Sequence, residues 1–217
     1  MDIQIDSAGL SAIYAANQSV TLARRVQGFV QTWGVAATQV APTPTAVAST
    51  PPAVAWQVFQ PVATNTVDWT DQYICFATTT PLDYGAVLTL NASSSAPMQV
   101  GLAEIFSNGQ FTRRPQNGPA YVVANASQAG SYAFGLAQSA TINGAAALCP
   151  VLAVPVRYNE AAWLTPTDII SIFLSSAATG ATVIPTPPKA FSIVAPAGAA
   201  GPTVGFNDRT NMFFQIS

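Results

Sequence analysis

The dipeptide Asn108-Gly109 places the strongest constraint on how this chain can fold. It separates two runs of strand-forming residues, 99–107 and 110–113. A type I′ turn needs positive φ at both central residues, and Asn-Gly meets that need better than almost any other pair. The sequence therefore predicts a β-hairpin here, closed by a two-residue turn.

Short apolar and β-branched segments recur along the rest of the chain, at a spacing of roughly ten residues, between Pro, Gly and Asn. This spacing is typical of antiparallel all-β domains. Asn143-Gly144 marks a second tight turn, and the β-branched run 169–175 fits a central strand. We predict an all-β fold, an antiparallel β-sandwich or jelly roll, over residues 54–217.

Residues 1–53 are expected to form an N-terminal arm and a Pro-rich linker. Residues 41–55 read APTPTAVASTPPAVA, and repeated Pro disfavours both helices and central strands. Upstream, an apolar stripe recurs at helical spacing before Gly34, which favours a short helix ended by that glycine, and Leu10, Ile13 and Tyr14 can extend the same helical face toward the amino terminus. Val20, Leu22 and Val26 also fit the alternation of a strand, so both structures stay open. The stripe consists of Leu22, Val26, Phe29, Val30 and Trp33.

The low charge of the chain indicates which partners it can have. Only 7% of its 217 residues are charged, against roughly 25% in ordinary globular proteins. Nine acidic and seven basic residues give a net charge of −2. Weak repulsion between molecules favours contact with copies of the same chain. Seven basic residues are few for neutralising phosphates, so no nucleic-acid partner is expected.

The absence of histidine limits the chemistry that this chain can perform. It excludes Ser-His-Asp and Cys-His nucleophile systems and His-ligated metals. The sequence also has no Gly-rich phosphate loop and no Cys-x-x-Cys. We therefore expect neither an enzyme, nor a cofactor, nor a bound metal. Cys75 and Cys149 each lie in an apolar run, which favours two buried thiols, although a disulfide between them stays open.

Two polar clusters supply candidate binding residues. In the first, Trp69 lies between two acids, as in a sugar platform beside an acid, and a turn between strands is the structural alternative. The second, NDRTN at residues 207–211, is rich in the oxygen ligands that Ca²⁺ takes, and an Asx-turn cluster is the structural alternative. The candidates are Asp68, Trp69, Asp71, Asn207, Asp208 and Asn211.

Glu104 is an acid within an apolar strand of the predicted hairpin. By alternation it shares one face with Leu102 and Phe106. A carboxylate on a buried face needs a partner. We therefore predict an ion pair between Glu104 and Arg113 or Arg114.

The uncharged composition favours a structural protein that assembles with copies of itself, such as a coat, filament or inclusion subunit. The apolar stripe of residues 22–33 is expected to dock on a neighbouring copy, and packing on its own domain is the alternative. The final segment 211–216 follows a flexible Gly/Ala link and can complete its own sheet or a neighbour's. A lectin-like or membrane-binding β-sandwich, with a glycan or lipid surface as its partner, is the alternative function.

The first ten residues, MDIQIDSAGL, lack the positive charge and long apolar run of a secretory signal. No stretch reaches the roughly 18 apolar residues that a membrane-spanning helix needs. We therefore expect synthesis in the cytoplasm, with assembly into particles or release by a non-classical route.

Overall fold

The computed structural model describes residues 1–33, 52–128, 130–176, 179–185, 189–198 and 201–216. These residues contain one helix, α1 (Ser7–Ala15), and sixteen strands. The strands are β1 (Asp2–Gln4), β2 (Ser19–Thr32), β3 (Ala53–Val54), β4 (Gln57–Phe59), β5 (Thr64–Thr78), β6 (Ala92–Ser93), β7 (Leu102–Ser107), β8 (Gln110–Pro115), β9 (Tyr121–Asn125), β10 (Ala133–Ile142), β11 (Ala145–Pro155), β12 (Glu160–Ser175), β13 (Val183–Ile184), β14 (Phe191–Val194), β15 (Thr203–Asn207) and β16 (Met212–Ile216).

Most strands belong to two seven-stranded sheets. Sheet I has the order β11-β10-β5-β1-β15-β16, with β6 also paired to β5. Sheet II has the order β4-β2-β12-β9-β7-β8, with β14 also paired to β12. The strand pairs are antiparallel except β1 with β15 and β7 with β9. The prediction of an all-β, sandwich-like fold is confirmed.

The main core fills the space between the two sheets. Sheet I contributes Ile3 and Val204, sheet II contributes Leu22 and Leu164, and all four are fully buried. Each lies on a strand whose alternate residues point the other way, as the pleat requires. Smaller apolar clusters cover the outer faces, including one beneath the two-stranded sheet of β3 and β13.

The hairpin at Asn108-Gly109 is confirmed. It joins β7 to β8, with φ of 51° at Asn108 and 79° at Gly109. Both values lie in the left-handed region that a type I′ turn demands. The second Asn-Gly pair, Asn143-Gly144, likewise has positive φ at both residues and joins β10 to β11.

Replacing Gly109 by Val is expected to lower the free energy of unfolding by about 1 kcal/mol or more, because a β-branched residue resists positive φ. A Cβ at this position would meet nothing within 4 Å, so the cost comes from the backbone alone. Urea denaturation measures it. Gly109→Asn is the matched control, since Asn tolerates this region; an equal loss in both variants would contradict the turn.

The predicted ion pair of Glu104 is confirmed, with Arg113 as its partner. Glu104 lies on β7 and is almost fully buried, while Arg113 lies directly opposite on β8. The Nε of Arg113 donates to the Glu104 carboxylate at 2.5 Å, and its Nη2 donates to the carbonyls of Ala96 and Pro97 at 2.6 Å each. The guanidinium thus joins the hairpin to the loop that precedes it.

The short helix lies upstream of the segment for which a helix was favoured. Asp6 caps α1 by accepting a hydrogen bond from the Gly9 amide at 2.7 Å. At the other end, Asn17 has a φ of 51° and the Gln18 amide donates to the Ile13 carbonyl. This is a Schellman ending, which needs a residue that tolerates the left-handed region.

The helix expected over residues 22–33 is wrong, and the strand alternative is correct. This segment belongs to β2, which pairs along its whole length with β12 and at one end with β4. Both faces of β2 meet apolar neighbours, so its sequence shows no clean alternation. Its apolar residues Leu22, Val26 and Phe29 therefore show by coincidence the i, i+4, i+7 spacing that is typical of a helix.

The boundary expected between an arm (1–53) and a domain (54–217) does not hold for the described residues. Strand β1 lies between β5 and β15 in sheet I, and β2 lies between β4 and β12 in sheet II. The amino-terminal 32 residues therefore contribute to both sheets. Residues 34–51, which include most of the Pro-rich segment 41–55, lie outside the described residues.

The apolar stripe predicted for assembly does not form a single face. Leu22 and Val26 are buried in the core between the sheets, and Val30 packs against that core. Phe29 and Trp33 pack on the opposite face of sheet II, where the Phe29 ring stacks on Trp163 at 6.1 Å. The docking role assigned to the buried Leu22 and Val26 is therefore wrong, and packing on the chain's own domain, the alternative, is correct for them.

Candidate functional site

The first predicted cluster lies within β5 rather than in a turn. The turn between strands, which was the structural alternative for this cluster, does not occur, because residues 68–71 belong to one strand, Thr64–Thr78. Tyr73 pairs with Gln138 and Trp69 with Ala140, so three residues of β5 oppose Ser139 alone. This bulge stands where the turn was expected. Bulges of this kind bend a strand and redirect its side chains.

The bulge separates the members of the first cluster. Asp68 is exposed, and the Asp71 side chain is about half exposed, at 51%. Trp69 is partly buried, with its ring edge-on to Trp56 at 5.9 Å. The Trp69 ring therefore packs against the core, whereas the Asp71 carboxylate lies beside the guanidinium of Arg24.

Arg24 is a buried cation that the sequence did not single out. It lies on β2, between Leu22 and Val26 on the face toward the core, and its side chain is 1% exposed. Its Nη1 donates to the Gln138 side-chain carbonyl at 2.9 Å and lies 3.6 Å from the Asp71 carboxylate. Gln138, on β10, also donates to the Thr70 carbonyl at 2.7 Å, so the guanidinium links the two sheets.

Aromatic rings complete the surroundings of Arg24. Its guanidinium carbon lies 5.6 Å from the ring centre of Trp56 and 5.9 Å from those of Trp69 and Tyr73. These distances suit cation–π attraction, which strengthens when water is excluded. Trp56 also donates its indole N–H to the Gln138 carbonyl at 3.1 Å. The three rings and the Gln138 side-chain amide together offset the free energy that the Arg24 guanidinium loses when it leaves water.

A second bulge lies opposite the first, in sheet II. In β12, Pro166 pairs with Val26 and Ile170 with Arg24, so three residues of β12 face Arg25 alone. The Thr167 carbonyl in this bulge accepts a hydrogen bond from Arg24 Nη2 at 3.0 Å. Arg24 therefore ties together two bulges, one from each sheet.

A small pocket of about 150 Å³ opens between the two bulges. Its charged groups are Arg24 and the carboxylates of Asp71 and Asp168, and its wall includes the rings of Tyr73 and Tyr121, which lie 5.6 Å apart. Burial raises the pKa of Tyr73, an effect that Arg24 opposes and Asp71 reinforces. Burial and Asp71 also raise the pKa of Tyr121. Both phenols therefore stay protonated at neutral pH.

The buried Tyr73 phenol is expected to make the protein less stable as the pH rises in the alkaline range. Because its folded-state pKa is raised, the contribution of Tyr73 to the free energy of unfolding is constant below about pH 10 and falls above it, where the phenol ionises first in the unfolded chain. Tyr73→Phe is expected to reduce this fall, measured by urea denaturation between pH 9 and 12. Tyr84→Phe, at a residue 71% exposed, is the matched control. A parental slope in Tyr73→Phe would contradict the assignment.

An uncharged groove lies beside the β5 bulge. It has a volume of about 220 Å³ and shares the Tyr73 side chain with the Arg24 pocket. Its polar lining is made of hydroxyl and amide side chains, and Leu148 and Pro97 add apolar surface. The polar lining residues are Thr70, Gln72, Ser94, Ser95 and Ser139.

The second predicted cluster forms the turn between β15 and β16. The Asn207 side-chain oxygen accepts the backbone N–H groups of Arg209 and Thr210 at 3.0 and 3.1 Å. Asn211 has a φ of 55° and ends the turn, while Asp208 is exposed. This is the Asx-turn arrangement that was the alternative to a calcium site. Within the described part of the chain, no three His, Cys, Asp or Glu side chains cluster as metal ligands.

The two cysteines are free thiols. Cys75 is fully buried and Cys149 partly buried, and burial raises the pKa of both. The prediction of two buried thiols is thus confirmed for Cys75, while Cys149 is a free thiol that is only partly buried.

Large apolar side chains lie exposed on the surface. The most exposed are Tyr84 at 71% and Val194 at 68%. Phe214 and Met212, at 45% and 40%, belong to the edge strand β16. None of the helical structure in the described residues is long and apolar enough to cross a membrane.

Sequence reasoning missed Arg24 and Gln138. Both are polar residues on strand faces that otherwise carry apolar side chains. Arg24 lies two positions after Leu22 and two before Val26, and Gln138 lies two positions after Leu136. Under the strand alternative for β2, this charge on an apolar face was the available signal. The bulges that bring Asp71 and Thr167 to Arg24 had no signal in the sequence.

Comparison with protein-family models, with curated proteins and with solved structures finds no match for this chain.

Proposed function

We propose that this protein is a non-catalytic structural protein that assembles with copies of itself through uncharged surfaces. The observation that carries the proposal is the exposure of large apolar side chains on a chain of very low charge. Val194, Val100 and Tyr84 are each more than half exposed. With 7% charged residues, little repulsion opposes contact between these surfaces.

The chemistry of the Arg24 pocket supports a structural role for its residues. Arg24 Nη1 is held by Gln138 and Asp71 and Nη2 by Thr167, so both terminal nitrogens are engaged within the protein, while the buried Nε has no hydrogen-bond partner. The phenols of Tyr73 and Tyr121 keep their protons, and a nucleophile or base would need to lose one. The network fixes how the two sheets pack.

Size-exclusion chromatography with light scattering tests the proposal. Over a range of concentrations, we expect a particle mass of at least twice the 22.4 kDa of one chain. Because the contacts are apolar, raising the salt from 0.1 to 1 M should not dissociate the particles, although it shortens the screening length to roughly 3 Å. A mass of one chain at high concentration would refute self-assembly.

We propose binding of a neutral saccharide as a second candidate function. The groove beside the β5 bulge favours it, because hydroxyl and amide groups line the groove without a charged side chain. Binding to a glycan array, weakened by Gln72→Ala and Ser139→Ala, would support this function. Ser11→Ala, on the exposed face of α1, is the control. Retention on lipid vesicles with no glycan bound would favour the membrane-binding alternative instead.

A further inference from the structure

Strand β16 (Met212–Ile216) is the edge of sheet I. Among the described residues it pairs with β15 alone, so its other side carries backbone groups without a strand partner. The sequence left open whether segment 211–216 completes its own sheet or a neighbour's, and the structure places it in its own sheet. Among the described strands, this edge of sheet I is therefore left unpaired.

The other sheet edges carry features that oppose pairing with another chain. Strand β8 carries Arg113 and Arg114, β11 contains Pro150 and Pro155, and β4, β14 and β6 have only three, four and two residues. Charges, short length and proline are the usual means by which proteins protect an edge strand. The sequence of β16, MFFQI, has none of these features.

We propose that β16 pairs in antiparallel fashion with β16 of a second copy of this chain. The inference rests on the proposed function, self-assembly, and assigns the contact. An antiparallel pair of identical strands is two-fold symmetric, so a charged residue near its centre would meet its own copy and be repelled. An uncharged strand avoids this repulsion. Centred on Phe214, the pair sets Met212 of each copy opposite Ile216 of the other.

The position of Phe214 is fixed within its own sheet. A Cβ at Gly205, its partner on β15, would come within 2.6 Å of the Phe214 ring, so the ring lies across the glycine. Phe214 is nevertheless 45% exposed. The ring is thus held in place before association, which lowers the entropy cost of binding.

The contact must extend beyond the strand itself. A strand of five residues is about 17 Å long, too short to bury the roughly 1,200 Å² of a stable interface alone. Beside Phe214 runs an open groove of about 380 Å³ whose wall includes Ile5, Thr64 and Ile216. Strand β14, with Val194 68% exposed, also approaches β16. These surfaces flank the paired strands and complete the interface.

Lysine and glutamate substitutions at Phe214 test the pairing in the full chain. Phe214→Lys places like charges against each other across the two-fold axis, and light scattering should show at least half of the parent's mass lost. Met212→Lys, on the same face of β16, is the second variant in case Phe214→Lys does not fold. Gln110→Lys adds the same charge at an exposed polar residue beside the β7–β8 turn and should keep the parent's mass. Circular dichroism confirms that each variant is folded.

Mixing the Phe214→Lys chain with a Phe214→Glu chain should restore the parent's mass, because opposite charges then meet across the interface. If the parent assembles and folded Phe214→Lys and Met212→Lys keep its mass, the β16 contact is refuted while self-assembly stands. If the mass falls but the mixture does not restore it, β16 meets a different surface and the symmetric pairing is refuted. A monomeric parent refutes both.

Discussion

A chain that begins at residue 54 is expected not to fold. Deleting residues 1–53 removes β1, which lies between β5 and β15, and β2, which pairs with β12 over thirteen residue pairs. It also removes Ile3 and Leu22, which are fully buried in the main core. Each such side chain contributes on the order of 2 kcal/mol, against a total stability of roughly 5–15 kcal/mol. Circular dichroism and urea denaturation should show no cooperative transition.

Coexpression provides the control for this deletion. The segment 1–53, supplied as a separate chain, should restore a soluble, cooperatively unfolding complex with the chain 54–217, because its strands can still pair with β5 and β12. A residue 54–217 chain that unfolds cooperatively on its own would contradict the role of β1 and β2 in the sandwich.

The sequence predicted the class of fold because turn chemistry is local. Asn108-Gly109 and Asn143-Gly144 determine their own backbone angles, and both hairpins follow from those residues alone. The ion pair of Glu104 was equally predictable, since alternation in β7 places the acid among apolar residues and the hairpin places Arg113 opposite.

The candidate site was not predictable in the same way. Asp71 reaches Arg24 only because three residues of β5 bulge opposite Ser139, and Thr167 reaches it through another bulge in β12. Bulges depend on pairing between distant strands, which no short stretch of sequence specifies. The wrong helix prediction over residues 22–33 also results from contacts between distant parts of the chain. Because β2 is covered on both faces, its apolar residues do not alternate with polar ones as in a half-exposed strand.

Arg24→Ala is expected to lower the free energy of unfolding by about 3–5 kcal/mol, the usual cost of breaking a buried charge network. The change leaves the Gln138 side-chain oxygen and the Thr167 carbonyl without their donor, and it empties the space between Trp56 and Tyr73. Urea denaturation measures the loss. Arg25→Ala, at the exposed neighbouring residue, is the matched control and should change stability by about 0.5 kcal/mol at most.

A double-mutant cycle shows whether Arg24 acts through Gln138. Arg24→Met keeps an apolar stem among the rings but leaves the Gln138 side-chain oxygen unpaired, and Gln138→Leu removes that oxygen. Alone, Gln138→Leu also leaves Arg24 Nη1 without its acceptor, but in the double variant it frees only the carbonyl of the exposed residue Thr70. The double variant should therefore lose less stability than the sum of the single losses, by about 1 kcal/mol or more. Additive losses would show that Arg24 and Gln138 stabilise the two sheets independently, contrary to the shared network that the geometry indicates.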